Sequence, residues 1–288
     1  MVMSTAELLK KVRKIEILAK GKSREVMAGA YHAAFRGRGM TFSETREYQA
    51  GDDVRDIDWN VTARTHVPHV KLYEEEKEIT VVLMIDTSAS GFFGSTVARV
   101  NYIAEIAALL AYNAIRQQNR LGAIFFSDKV DLYIPPAKGK KQMLRIIREM
   151  VASTAGKGGN GIEMALRNLT SIQNKRTVCF IISDFIQDHY EIPLVLASKK
   201  HDIIPIRIWD GIEKKCPETG LIRCFDAEQN KWIWFDTEAI TETTEWHQYF
   251  QNFELYFEQA VKAAGIKGLT LQNGNDYLPA LLQYFRKR

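Results

Sequence analysis

Cysteine is scarce: Cys179, Cys216 and Cys224 are the only three in 288 residues. An odd, widely spaced set builds no disulfide framework and suits a reducing compartment. Long hydrophobic runs are missing too. No apolar stretch approaches the ~18 residues that would span a bilayer, and the most apolar helical stretch, residues 100–114, is broken by Glu105 and Asn113. The opening MVMSTAELLKKVRKIEI has neither the apolar core nor the cleavage site of a secretory signal, so a cytoplasmic chain without a membrane span is expected. Aromatic residues are absent from the first 24 positions, although seven basic residues against two acidic ones give that stretch +5 of a total of +4. Without a stacking platform the basic start reads as a solvated helix face, and no nucleic-acid partner is expected.

The composition is that of a folded globular chain, with 46% hydrophobic and 26% charged residues. The central stretch is ITVVLMIDTSAS, Ile79 to Ser90. Seven apolar or β-branched residues in a row, rich in Val and Ile, predict a strand buried on both faces. It ends on Asp86, Ser88 and Ser90, a carboxylate and two hydroxyls at alternate positions. In open α/β sheets such strand ends form the ligand-binding rim. Oxygen donors of this kind suit a hard cation such as Mg²⁺, with water completing its shell. The same residues also serve as ordinary helix caps.

From Ile79 onward strand and helix patterns alternate: strands over 120–126, 177–183, 203–209 and 267–271, helices over 96–118, 140–153, 162–172, 243–264 and 277–288, with another helix containing 193–200. That alternation predicts βαβ units and a mainly parallel sheet. Val130–Ile134 reads as an antiparallel edge strand stopped by Pro135 and Pro136. Residues 221–236 alternate about Glu228-Gln229-Asn230 and predict an inserted hairpin. Upstream, residues 5–19 read as a helix and 37–60 as irregular structure with short strands. The expected division is an N-terminal appendage over 1–77 and an α/β domain over 78–288.

Several patterns fail on context. Asp56, Asp58 and Asn60 match the start of a calcium loop, but Val61 stands where glycine and Val67 where glutamate is required. Asp53, Arg55, Asp56, Asp58 and Arg64 read instead as ion pairs that fix a loop around Trp59. His66 and His69 flank Pro68 with no nearby cysteine, which excludes a zinc site there. Gly156, Gly158 and Gly161 have dinucleotide spacing but follow a helix rather than a strand.

The D-x-S-x-S pattern after a buried strand resembles the metal-ion-dependent adhesion site of von Willebrand factor A-type domains. A second buried strand ending at Asp184 and the Gly-rich loop complete that likeness. The segment EYQAGDDVRDIDW (Glu47 to Trp59), followed by Thr62-Ala63-Arg64 and the central strand, resembles the bacterial domain-of-unknown-function family fifty-eight, commonly encoded beside MoxR-type AAA+ ATPases. The resemblance runs from about Gly37 to the C-terminus. It implies a Rossmann-like, doubly wound, mainly parallel sheet of von Willebrand A type. Carried over, Ser88 and Ser90 are direct ligands of Mg²⁺ or Mn²⁺, and Asp86 and Asp184 mainly hold waters. Asn160 stands where the family's loop threonine would be.

Three functions compete. The first is a metal-dependent protein-interaction module, chaperone-like in character, binding a partner carboxylate through the cation, with a MoxR-type ATPase or its client as partner. The second is an interaction module with a degenerate metal site, of which Asn160 is the sign. The third is a hydrolase or phosphotransferase with Asp86 as nucleophile. Ser88 stands where such an enzyme would place a second Asp, and no G-x-S-x-G elbow surrounds either serine. No catalytic residue is therefore assigned.

Overall fold

The computed structural model describes residues 31, 40–75, 79–92, 99–153, 161–214, 219–226 and 231–287. The expected helix over 5–19 and the site candidate Asn160 lie outside them. The described residues fall into two compact units, a smaller one within Phe35–Ile79 and a larger one over Thr80–Arg288 that also takes in Tyr31. One cut near residue 77 therefore does not describe the division. Tyr31 precedes the smaller unit, yet its ring stacks on Phe180 and meets Phe285 edge-on.

In the smaller unit, strands β1 (Met40–Glu47) and β2 (His69–Glu75) pair antiparallel. Helix α1 (Trp59–Thr65) lies between them in sequence. The segment is thus more regular than its turn-rich composition suggests. Asp58 caps α1, its side chain accepting from the backbone N–H of Asn60 and Val61. The helix over Trp59–Thr65 also occupies positions that a calcium loop would keep irregular. The ion pairs do not wrap Trp59, which is 70% exposed. Among the described residues, Arg55 pairs with Asp53 alone, at 3.1 Å, with its own side chain 87% exposed. Exposed pairs of this kind contribute little. Arg55→Ala is expected to leave the melting temperature unchanged within about 1 °C by circular dichroism, since surface changes rarely matter.

The larger unit is built on six strands: β3 (Thr80–Asp86), β4 (Arg120–Phe126), β5 (Val130–Ala137), β6 (Val178–Ser183), β7 (Asp202–Trp209) and β10 (Leu269–Gln272), in the order β10-β7-β6-β3-β4-β5. All neighbours are parallel except β4 and β5. Between them run α2 (Arg99–Arg116), α3 (Lys140–Ala152), α4 (Gly161–Ile172), α5 (Glu191–Lys200), α6 (Gly211–Lys214), α7 (Ile240–Ala263) and α8 (Leu278–Arg286). Strands β8 (Leu221–Asp226) and β9 (Lys231–Asp236) form the expected separate hairpin.

The uninterrupted apolar strands are buried on both faces, as a parallel sheet requires. Val82, Met84, Ile124, Phe126, Cys179, Ile181 and Ile203 pack with residues of α4, α5 and α7. Alternate positions point the other way. Phe180, for example, meets Phe285 of α8 edge-on.

Pro135 and Pro136 do not stop β5. They lie inside it, where an edge position tolerates a missing N–H. The ladder shifts register opposite them, between Leu121 and Ala123. Gln142 donates through Nε2 to the carbonyls of Leu121 (3.0 Å) and Pro135 (2.8 Å). Gly122 fills the close approach: a Cβ there would stand 2.9 Å from the Ile134 carbonyl oxygen.

Candidate functional site

Strand order reverses direction between β3 and β6. From β3 the chain first builds outward to β4 and β5, then returns to the other side for β6, β7 and β10. Open α/β sheets bind ligands outside the carboxyl ends of the strands at this switch point. Asp86 ends β3, Asp184 follows β6, and Ile85 pairs with Ile182. The two carboxylates therefore share one rim, and both are buried.

Each strand end turns by the same device. Asp86 Oδ1 accepts from the Ser88 N–H (2.8 Å), Asp184 Oδ1 from the Ile186 N–H (3.2 Å), and Asp210 Oδ1, after β7, from the Ile212 N–H (3.2 Å). These are Asx turns. Ser183 Oγ donates to Asp86 Oδ2 at 2.5 Å and accepts from the Phe185 N–H at 3.0 Å. Phe185 has φ +57°, a left-handed conformation unfavourable for a bulky side chain. Its ring holds it there, packed against Tyr190 and Phe257. Gln187 Oε1 accepts from the Ile162 N–H (3.0 Å), tying the start of α4 to the same rim.

Ser88 and Ser90 face one another, their hydroxyl oxygens 2.9 Å apart. Thr87, between Asp86 and Ser88, points elsewhere: its hydroxyl donates to the Phe126 carbonyl at 2.9 Å and lies 3.2 Å from Asp131 Oδ2. Four of the five sequence-derived residues, Asp86, Ser88, Ser90 and Asp184, thus belong to one rim. Burial, and then the negative charge of Asp184, push the Asp86 carboxyl up to about 6, against the bonds from Ser183 and Ser88.

Behind Asp184 lies an ion network that sequence reasoning missed. Arg99, only 2% exposed, donates from Nη1 to Asp184 Oδ2 (2.6 Å) and from Nη2 to Glu213 Oε1 (2.5 Å). Arg207 Nη2 stands 3.4 Å from Glu213 Oε2, and its Nη1 is 3.7 Å from Glu254 Oε1. Asn273, after β10, donates to Asp210 Oδ2 at 2.8 Å. Burial raises Glu213 to about 7 despite the opposing pull of Arg99. Asp210 had a readable signal, since it follows a buried strand just as Asp184 does. Arg99 had none: it is one charged residue among several in a helical segment.

The donor set fits a hard cation. Its contributors are all oxygens, two carboxylates and two hydroxyls, and the charge that Asp86 cannot easily hold is one a cation would balance. Among the described residues no three His, Cys, Asp or Glu side chains converge as a metal cage.

The fold and site define an open, doubly wound α/β protein with buried oxygen donors at its switch point. The chain belongs to the family described as Protein of unknown function DUF58, whose family model matches residues 44–250. Uncharacterized proteins of Mycobacterium bovis and Mycobacterium tuberculosis are each 28% identical over 283 residues, covering 96% of this chain and 88% of theirs. Among solved structures, the conserved hypothetical protein BatB from Bacteroides thetaiotaomicron aligns with a TM-score of 0.46 and 14% identity, over 73% of this chain and 98% of that one. The SpRpn10 VWA domain aligns at 0.38 and 10% identity, over 72% and 95%. Among the described residues no helix is long and apolar enough to cross a membrane.

Proposed function

We propose that this chain is a non-enzymatic protein-interaction module whose rim holds a Mg²⁺-type cation and takes a carboxylate of a partner protein. Ser88 and Ser90 would hold the cation directly, Asp86 and Asp184 chiefly through water, with Asn160, which precedes α4 in sequence, as a further donor. When bound, such an ion supplies a Lewis-acidic position for an Asp or Glu side chain. The observation that carries the reading is the pair of buried carboxylates on adjacent strand ends beside two touching hydroxyls. Both Asp86 oxygens already accept hydrogen bonds, which suits holding a water shell better than nucleophilic attack. The resemblance to chains encoded beside MoxR-type AAA+ ATPases makes such an ATPase, or its client, the expected partner.

The test is calorimetry against a MoxR-type ATPase from the same organism. Nucleotide is left out, so that chelation acts on this chain alone. Asp86→Ala and chelation are each expected to weaken association by at least about tenfold, or 1.4 kcal/mol. Equal binding by wild type in Mg²⁺ and in chelator would favour the degenerate-site reading. The Arg99–Asp184 contact is the observation on that side.

A further inference from the structure

We propose that Arg99 is the resident counter-cation of the rim: it holds Asp184 in competition with a divalent ion and so sets the site's cation affinity. This rests on the cation reading above. Among the described residues, the rim buries four carboxylates, those of Asp86, Asp184, Asp210 and Glu213, against two guanidinium groups, those of Arg99 and Arg207. The surplus negative charge is uneven. Among the described residues, Asp184 and Glu213 touch Arg99, whereas Asp86 accepts from the uncharged donors of Ser88 and Ser183. A guanidinium keeps its proton throughout the accessible pH range, so this compensation is permanent.

The geometry gives Arg99 a specific effect on Asp184. Asp184 Oδ2 is taken by Arg99 and Oδ1 by the Ile186 N–H. Each oxygen keeps a second lone pair, so these bonds do not block a cation; it would instead meet a carboxylate whose charge Arg99 already partly neutralises. The positive charge also repels an incoming dication across a buried rim, where charges are weakly screened. Glu213 moderates this, because it shares the Arg99 charge through Nη2 and accepts from the Asp210 N–H at 2.9 Å. Arg99 is thus a positioning residue for Asp184 and a brake on cation binding.

Two variants move the affinity in opposite directions, which general loosening of the site would not do. Arg99→Met removes the competing charge and is expected to bind Mg²⁺ at least roughly tenfold tighter than wild type by calorimetry. It should melt lower in chelator and regain more on adding Mg²⁺ than wild type does. Glu213→Gln leaves the Arg99 charge to act on Asp184 alone and is expected to bind Mg²⁺ several-fold more weakly. The titrations run at pH 8, where wild-type Glu213, raised to about 7, is ionised. If Arg99→Met is unfolded in chelator and folds with Mg²⁺, the proposal holds. If it folds in neither, Glu213→Gln decides: weaker binding supports the brake and unchanged binding overturns it. Wild-type binding with unchanged or weaker affinity in Arg99→Met overturns the role of Arg99 and leaves the cation reading standing. Absence of Mg²⁺ binding in wild type and both variants overturns both. Binding by Arg99→Met alone overturns the cation reading for the natural chain and supports Arg99 as the occupant that replaced the ion.

Discussion

Asp86→Asn is expected to raise the melting temperature in chelator at pH 7. The native Asp86 carboxyl sits at about 6 against an ordinary 3.8 because it is buried beside Asp184. That displacement corresponds to about 3 kcal/mol lost by the folded state once the group ionises. The amide is isosteric: Oδ1 can still accept from the Ser88 N–H, and Nδ2 can donate to Ser183 Oγ. Loss of the charge-assisted bonds returns about 1 kcal/mol. The net gain is about 2 kcal/mol, roughly 4–8 °C for a domain of this size. The sign follows from linkage. The folded-state value lies above the unfolded one, so this group's contribution is fully present below pH 3.8 and is lost as pH rises through about 6. The difference between wild-type and Asp86→Asn melting temperatures should therefore open over that window. Mg²⁺ should reverse the order, stabilising wild type by mass action and leaving the variant unchanged. A variant that melts lower than wild type in chelator would show that the two buried carboxylates are already compensated.

Gly161→Ala is expected to be among the most damaging single methyl additions in the protein. A Cβ at Gly161 would stand 1.8 Å from the Ser127 carbonyl oxygen, 2.8 Å from its carbon and 2.9 Å from the Phe126 ring. Two of these neighbours are backbone at the end of β4 and cannot swing aside. Overpacking a core costs up to about 3 kcal/mol and more where backbone must move. That translates to a melting temperature lower by roughly 6–12 °C. The clash sits where α4 starts, next to the Ile162–Gln187 bond that ties this helix to the rim. Mg²⁺ affinity should fall together with stability. A melting temperature within 2 °C of wild type would mean that α4 starts elsewhere.

Much of the sheet was legible because its strands are unusually plain. Thr80–Asp86 carries no charge before its last residue and Val178–Ser183 carries none, and short runs this rich in Val and Ile suit a strand buried on both faces. The hairpin over 221–236 was legible from its period of two. The edge position of the strand starting at Val130 was legible, but Pro135 and Pro136 misled about its end, because an outer edge tolerates a missing N–H and the strand continues through both prolines. The charged segment around Trp59 misled in a similar way. Its carboxylates serve as local caps, Asp53 for a 3₁₀ turn and Asp58 for α1, rather than as a ring of ion pairs.

The sequence by itself determined the strands, their alternation with helices, and the polar residues that end each strand. These are local properties: burial on both faces selects apolar runs, and the rim selects oxygen donors. The tertiary structure decided which strand ends are neighbours. Asp86 and Asp184 are 98 positions apart, and they share a rim because β3 pairs with β6 rather than ending the sheet. It alone also decided that Arg99 turns inward. A guanidinium is buried only where carboxylates from distant segments meet it, and Asp184 and Glu213 converge there through two separate crossover connections. No pattern near residue 99 carries that information, because the compensating charges lie 85 and 114 residues further along the chain.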